Sequence, residues 1–270
     1  MKSMNDSIKA IQFEDVEIEY LLTGAKNSET ILFVHGLGAN LSQFEQQQHY
    51  FSEKYKVLSV NLRGHGNSLI VDDYTPTEFE LKKMSLDITN LLDSLNIEKV
   101  HFIGNSMGGN IGFEILKSNP EILNSFTTFG TTGQISTSRF SLGMMKFIYK
   151  LLSPKAIGNL SKTAGQTKES KEKIKEMMSQ VNKSTIFSII PNLANFDYLD
   201  VIKTTQVQSM IIKGEKDKDM NKVIKNTIIE FESRGDFRLY EMSKVGHFAN
   251  LDNPDLFNKI LEDFIQNINR

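Results

Sequence analysis

Val100-His101-Phe102-Ile103-Gly104-Asn105-Ser106-Met107-Gly108-Gly109 is the stretch on which the reading of this chain turns. A short, mostly apolar run ends in G-x-S-x-G with one more glycine behind it, and a helical pattern follows at once. In a strand–turn–helix of this kind the serine sits on a sharp, strained turn. The small residues two before and two after it keep neighbouring chain clear. Its hydroxyl is presented at the carboxyl end of the strand, where open α/β sheets bind ligands. The start of the next helix adds backbone N–H groups that favour negative charge. A glycine-rich turn closing any βα unit has the same letters, so the weight lies in the strand before and the helix after.

Comparable apolar runs occur at 30–34, 57–60, 126–129, 209–212 and 237–242, and 11–22 alternates loosely like an antiparallel pair. Continuous short runs suit strands buried on both faces of a parallel sheet. Helical spacing marks 81–95, with Leu81, Met84, Ile88, Leu91, Leu92 and Leu95 on one face, and also 110–117, 221–231 and 254–268. The pattern predicts an α/β fold, a mostly parallel sheet of about eight strands with helices on both faces. Residues 131–195 break the rhythm. They hold amphipathic pieces at 140–152, 171–181 and 185–193 without a convincing buried strand, and read as a mostly helical cap. The expected organisation is a core of 1–130 and 196–270 with 131–195 inserted over one end of the sheet.

A serine nucleophile needs a base, and there are five histidines. His101 lies inside a strand pattern and reads as a core residue, and His49 reads as a surface residue. His35 and His65 precede glycines in tight loops, where they shape the loop. His247, in Val245-Gly246-His247-Phe248 after the last strand, is the candidate base. An acid must fix its tautomer, and Asp217, in the loop after 209–212, is the candidate, ahead of Glu215 and Asp219. Oxyanion donors fall on the backbone N–H of Met107 and of Leu37 in His35-Gly36-Leu37-Gly38. His35, Gly36, Asn105 and Phe248, with Met145 and Arg139 from the cap, are expected to line the substrate pocket.

Composition narrows the class. The chain has 270 residues, 31 basic against 33 acidic, and a net charge of −2. No basic stripe points to nucleic acid. With no cysteine there is no disulfide, thiolate metal site or cysteine nucleophile. No H-E-x-x-H occurs, and neither metal nor cofactor is expected. The polar opening residues and the lack of any apolar run near ~20 residues lead to the expectation of a cytoplasmic protein without a membrane partner. Usage rich in Ile, Lys and Asn fits an AT-rich bacterial genome. Monomer and dimer are equally compatible with the sequence.

His35-Gly36-Leu37-Gly38, Leu62-Arg63-Gly64-His65-Gly66-Asn67-Ser68, Gly104-Asn105-Ser106-Met107-Gly108-Gly109, Gly214-Glu215-Lys216-Asp217 and Gly246-His247 occur in one order across the chain. Together they resemble the α/β-hydrolase superfamily, in its esterase, lactonase and C–C-hydrolase-like branch. The order serine, acid, histidine is that of the superfamily. Three positions depart from its common pattern. Asn61 stands where relatives often have aspartate, Phe44 stands near a frequent tryptophan, and no proline follows Asp217. The resemblance implies attack of Ser106 on a carbonyl carbon and turnover of a small-molecule substrate through an acyl-enzyme. A small, hydrophobic carboxylic ester is the favoured substrate, because Met144, Met145, Phe147, Ile148, Phe187 and Ile190 make the cap apolar, although the same residues could simply form the cap's own core. The alternatives are a C–C bond hydrolase or lyase on the same triad, with Asn40 and Arg139 as substrate-binding counterparts, or a ligand receptor with slow turnover. Gly38-Ala39 lacks the proline usual in C–C hydrolases.

Overall fold

The loosely alternating start of the chain forms an antiparallel pair, β1 (Ile8–Gln12) and β2 (Glu17–Thr23). The computed structural model describes residues 8–70 and 75–268, the side chain of Met145 apart. The apolar runs then give β3 (Thr30–Val34), β4 (Lys56–Val60), β5 (Val100–Asn105) and β6 (Leu123–Phe129). A short pair, β7 (Gln134–Ser136) and β8 (Asn195–Asp197), lies apart from the main sheet. β9 (Ser209–Gly214) and β10 (Phe237–Met242) complete the set. The main sheet has eight strands in the order β1-β2-β4-β3-β5-β6-β9-β10, parallel from β4 to β10.

Period-two alternation explains why the central runs are apolar throughout. Leu32 and Val34 of β3 face one side, with Leu58, Phe102 and Phe126. Ile31 and Phe33 face the other, with Val57, Ile103 and Phe129. Each face is covered by helices. α1 (Glu45–Phe51) packs Phe51 on the second face, while α2 (Leu81–Ser94) and α3 (Met107–Ser118) cover the first. The stripe expected at 81–95 is the buried face of α2, with Met84, Ile88, Leu91 and Leu92 inside.

Between β7 and β8 stand four helices: α4 (Arg139–Leu151), α5 (Pro154–Ser161), α6 (Lys168–Ser179) and α7 (Lys183–Ile189). α5 is absent from the sequence reading, although Ser153 caps it and Pro154 opens it. After β8 come α8 (Leu199–Thr204), α9 (Lys218–Val223), α10 (Lys225–Glu232), α11 (Ala249–Asp252) and α12 (Pro254–Ile268). The single helix expected at 221–231 is therefore two. The Asp217 side chain accepts from the Met220 N–H and starts the helix early, and Ile224 closes the first piece.

One expectation about the cap is corrected. Met144, Phe147 and Ile148 neither line a closed pocket nor form the cap's core, because all three are exposed. The 3.6-residue spacing identifies residues that share a face without saying which face points inward. Ile190 is buried and Phe187 half-buried.

Candidate active site

Ser106 joins β5 to α3 with φ 53° and ψ −119°, a conformation L-residues adopt at a cost of about 1–3 kcal/mol. The turn is held from several sides. Ser106 N–H donates to Phe129 O at 2.9 Å, and the Thr131 hydroxyl donates to Ser106 O at 3.0 Å. Glycine is required on both flanks. A Cβ on Gly104 would sit 2.5 Å from Gly109 N, and one on Gly108 would sit 2.2 Å from Val34 O. Either would push β5 and α3 apart or drive α3 off β3. The 35–38 loop passes nearly as close, since a Cβ on Gly36 would meet Ser106 Cβ at 3.0 Å.

His247 follows β10, and Asp217 follows β9, so adjacent parallel strands deliver both to the carboxyl edge of the sheet where Ser106 also stands. Asp217 Oδ2 lies 2.8 Å from His247 Nδ1, and the carboxylate is largely buried. An ionised carboxylate only accepts, so the ring proton resides on Nδ1 and Nε2 is left with its lone pair. Gly130 backs the ring, because a Cβ there would lie 2.9 Å from His247 Cε1. Ser106 and His247 are both half-buried, and the Ser106 hydroxyl makes no hydrogen bond among the described residues. Nor do the Leu37 or Met107 N–H groups donate to any described acceptor, leaving both free on segments next to Ser106 and Gly36.

The pocket candidates separate into different roles. Asn105 is fully buried, and its amide N–H groups donate to Phe129 O and His247 O at 3.1 Å each, while its Oδ1 accepts from Gln43 at 3.1 Å. It ties the serine turn to the histidine loop and does not reach a substrate. His35 is likewise fully buried. Its Nδ1 donates to Gly36 O at 2.8 Å and its Nε2 accepts from Leu62 N–H at 3.1 Å. Gly36 lies against Ser106 as described. Phe248 is buried among Ala39, Ile174, Met177, Met178 and Leu251, where the cap meets the core. Arg139 is exposed at the start of α4 and is bonded to none of Ser106, Asp217 and His247 among the described residues, so it corrects the expectation of a pocket arginine. The Met145 side chain lies outside the described residues. Asn40 caps the turn at Leu41–Phe44 by accepting from Ser42 N–H at 3.0 Å.

The two loop histidines act as braces. His65 accepts from Gly38 N–H at 3.1 Å and donates to Arg63 O at 3.0 Å. The 35–38 loop is thus pinned by the His35 ring to Leu62 and by His65 at Gly38. Asn61 contributes too, accepting from Leu41 N–H at 2.7 Å while donating to the carboxylate of Glu19. Where the aspartate of relatives would carry the charge itself, here Asn61 borrows it from β2.

Burial pushes His65 and His101 down to about 4 and His35 well below its ordinary value, the last aided by repulsion from His65. All three are neutral in the folded protein, whereas unfolded histidine protonates near 6.5. Below that pH the unfolded chain binds more protons, so stability is lost as pH falls from 6.5 towards 4. His65 and His101 are each expected to weigh up to about 3 kcal/mol over that window. The urea midpoint measured against pH checks this. A midpoint no lower at the acid end than above pH 6.5 contradicts it.

Asp252 carries no sequence signal but joins the cap to the loop that holds His247. Its Oδ2 accepts from Gly246 N–H at 2.7 Å, next to His247. Its Oδ1 accepts from Gln166 N–H at 2.7 Å and from the Ser170 hydroxyl at 2.6 Å, at the start of α6. Over the 35–38 loop the cap is in direct contact, since a Cβ on Gly38 would meet Met178 Sδ at 2.7 Å. A cleft of about 580 Å³ opens between that loop, the 61–69 turn and α6, but neither Ser106 nor His247 lines it. Among the described residues no cluster of three or more His, Asp or Glu side chains is placed to hold a metal ion.

A serine on a strained βα turn, free amide donors beside it and an acid–histidine pair on the neighbouring loops define a hydrolase-type site on a doubly covered sheet. A family model described as alpha/beta hydrolase fold matches residues 29–254, and the chain belongs to that family. It is a hydrolase related to enol-lactonases and esterases. Along nearly its whole length it is similar to 3-oxoadipate enol-lactonase 2 of Acinetobacter baylyi, with 26% identity over 263 residues, 95% of this chain and 96% of that one. It is 22% identical over 269 residues to a 2-hydroxy-6-oxononadienedioate/2-hydroxy-6-oxononatrienedioate hydrolase of Paraburkholderia phymatum, covering 93% and 91% of the two chains. A thermophilic esterase from Thermogutta terrifontis superimposes with a TM-score of 0.84 at 15% identity, covering 96% of this chain and 99% of that one.

Proposed function

We propose that the protein hydrolyses a small, hydrophobic carboxylic ester, open-chain or lactone, through an acyl-enzyme on Ser106. The observation that carries this reading is the 2.8 Å pairing of Asp217 with His247 Nδ1, which leaves Nε2 as the acceptor. His247 takes the Ser106 proton as Oγ attacks the carbonyl carbon, and Asp217 stabilises the imidazolium. The Leu37 and Met107 N–H groups receive the oxyanion; each donor of this kind is worth about 3–4 kcal/mol in the transition state. His247 returns the proton to the leaving alcohol, then activates water to release the acid. The full-length similarity to an enol-lactonase supports an ester of this size, since a lactone is a cyclic ester. Against C–C cleavage stand the engaged Asn40 and the exposed Arg139, the two residues that reading would use.

The cap rests on the oxyanion loop through Met178, and Leu37 packs with Ile157, Val181, Ile186 and Ile190, which supports a short acyl chain. Rapid mixing with p-nitrophenyl acetate is expected to give a burst of p-nitrophenol and one acetyl group on Ser106 in the digested protein. Butyrate should react comparably and octanoate about tenfold or more slowly. Turnover with no acyl adduct, or an adduct elsewhere, would overturn the acyl-enzyme. A rate that rises with chain length would overturn the small pocket.

A further inference from the structure

The outer face of α4 is apolar and exposed. Phe140, Met144, Phe147, Ile148 and Leu151 fall at i, i+4, i+7, i+8 and i+11, on one side of the helix, and are between 45% and 79% exposed. Leu160 of α5 is exposed as well. Single exposed apolar residues are ordinary, but a continuous stripe marks a surface that meets something apolar.

Charge identifies what it meets. From 122 to 168 the sequence contains no Asp or Glu but has Arg139, Lys146, Lys150, Lys155, Lys162 and Lys168. None of these six cations has an ion pair among the described residues. On the α4 wheel Arg139, Lys146 and Lys150 cluster beside the apolar stripe, about 100° per residue setting the positions. α7 and the 190–193 turn, on which α4 packs, add no acid, and Lys183 of α7 reaches Lys150 O at 2.9 Å. An apolar arc bordered by unpaired cations is the pattern of a helix lying in the interface of an anionic bilayer. A protein partner would equally cover the stripe, but it would not explain an acid-free stretch of 47 residues that extends beyond the helix.

We propose that α4, with Lys155 of α5 and Lys162 just after it, docks the protein on the surface of an anionic lipid bilayer. No helix among the described residues is long and apolar enough to cross a membrane, so the contact is peripheral. The inner face of α4 turns Leu142 and Tyr149 to the cluster that also receives Leu37. Docking therefore sets the bilayer about one helix diameter, ~10 Å, from the apolar neighbours of the oxyanion loop. The sequence alone offers no lipid partner; it is the outward orientation of the stripe that supplies one.

The test is co-sedimentation with vesicles of phosphatidylcholine alone and of phosphatidylglycerol with phosphatidylcholine in a roughly one-to-two ratio. The full chain is expected to bind the anionic vesicles at least about tenfold more tightly than the neutral ones, and to be released by salt. Phe147→Asp/Leu151→Asp should abolish binding while leaving hydrolysis of a soluble ester unchanged. Lys146→Glu/Lys150→Glu should lose the preference for anionic vesicles, and it serves as the decisive variant if the first fails to fold. No binding, equal binding to both vesicles, or variants that bind like wild type would overturn the proposal. So would a concentration-dependent dimer in solution that the Phe147→Asp/Leu151→Asp variant dissociates, because a second copy would then own the face. The readout is binding, so it succeeds or fails independently of the chemistry at Ser106.

Discussion

Ser106→Ala is expected to lower kcat/KM for p-nitrophenyl acetate by roughly 10⁵- to 10⁶-fold, the loss typical when a nucleophile is removed from a unit of cooperating groups. Stability should hardly change. The Ser106 hydroxyl makes no hydrogen bond among the described residues, and alanine keeps the Cβ that makes φ 53° unfavourable. Ser106→Gly should be equally inactive but more stable by about 1 kcal/mol, because glycine relieves the backbone strain at some cost in unfolded-state entropy. Kinetics and urea unfolding of the three proteins read both effects. Activity within tenfold of wild type in Ser106→Ala would remove Ser106 as nucleophile. A glycine variant less stable than the alanine one would show that the turn stores no strain.

The second large effect lies away from the reacting atoms. Arg63 is 1% exposed and forms a two-point pair with Asp87, both contacts at 2.6 Å, while Asp15 and Glu78 lie at 3.3 and 3.5 Å from its other nitrogen. Asp87→Ala strands most of a buried guanidinium and is expected to cost about 3–5 kcal/mol in urea unfolding. Arg63→Met/Asp87→Leu should recover much of that, since a buried pair replaced as a whole loses desolvation cost along with attraction. A cost under about 1 kcal/mol for Asp87→Ala would mean the site relaxes or hydrates. The consequence reaches the oxyanion loop, because Arg63 anchors the turn from which His65 holds Gly38.

The parts of this protein that could be read from its residues are those where local pattern and local role coincide. The strand–turn–helix around Ser106 is legible because strand, glycines and helix adjoin it in sequence. The pairing of His247 with Asp217 is legible because each follows the end of a strand in the sheet. His101 was legible as a core residue because its strand is apolar on both sides, and it does pair with Ser125 at 2.9 Å inside the sheet. What escaped depends on contacts between distant segments. Asp252 meets partners 82 and 86 residues away, and nothing beside it marks it out. Asn105 adjoins Ser106 and its position suggests a substrate contact, yet its amide N–H groups are consumed by Phe129 O at the end of β6 and by His247 O. In α4 the spacing fixed a face, but its direction depended on where α5 and α7 pack, which no periodicity contains.

The β7–β8 pair has a consequence for how such a protein diversifies. Ser136 and Asn195 are opposite one another in an antiparallel register, so the chain leaves for the four cap helices and returns at a single doorway. A tight turn of about two residues suffices to join antiparallel neighbours. The cap is therefore a cassette: residues 137–194 could be shortened, lengthened or swapped for a foreign segment with the same doorway, and all eight sheet strands would keep their order and register. Selection, or an engineer, could exchange the segment as one piece, provided the replacement again covers Leu37 and gives Asp252 partners in place of Gln166 and Ser170.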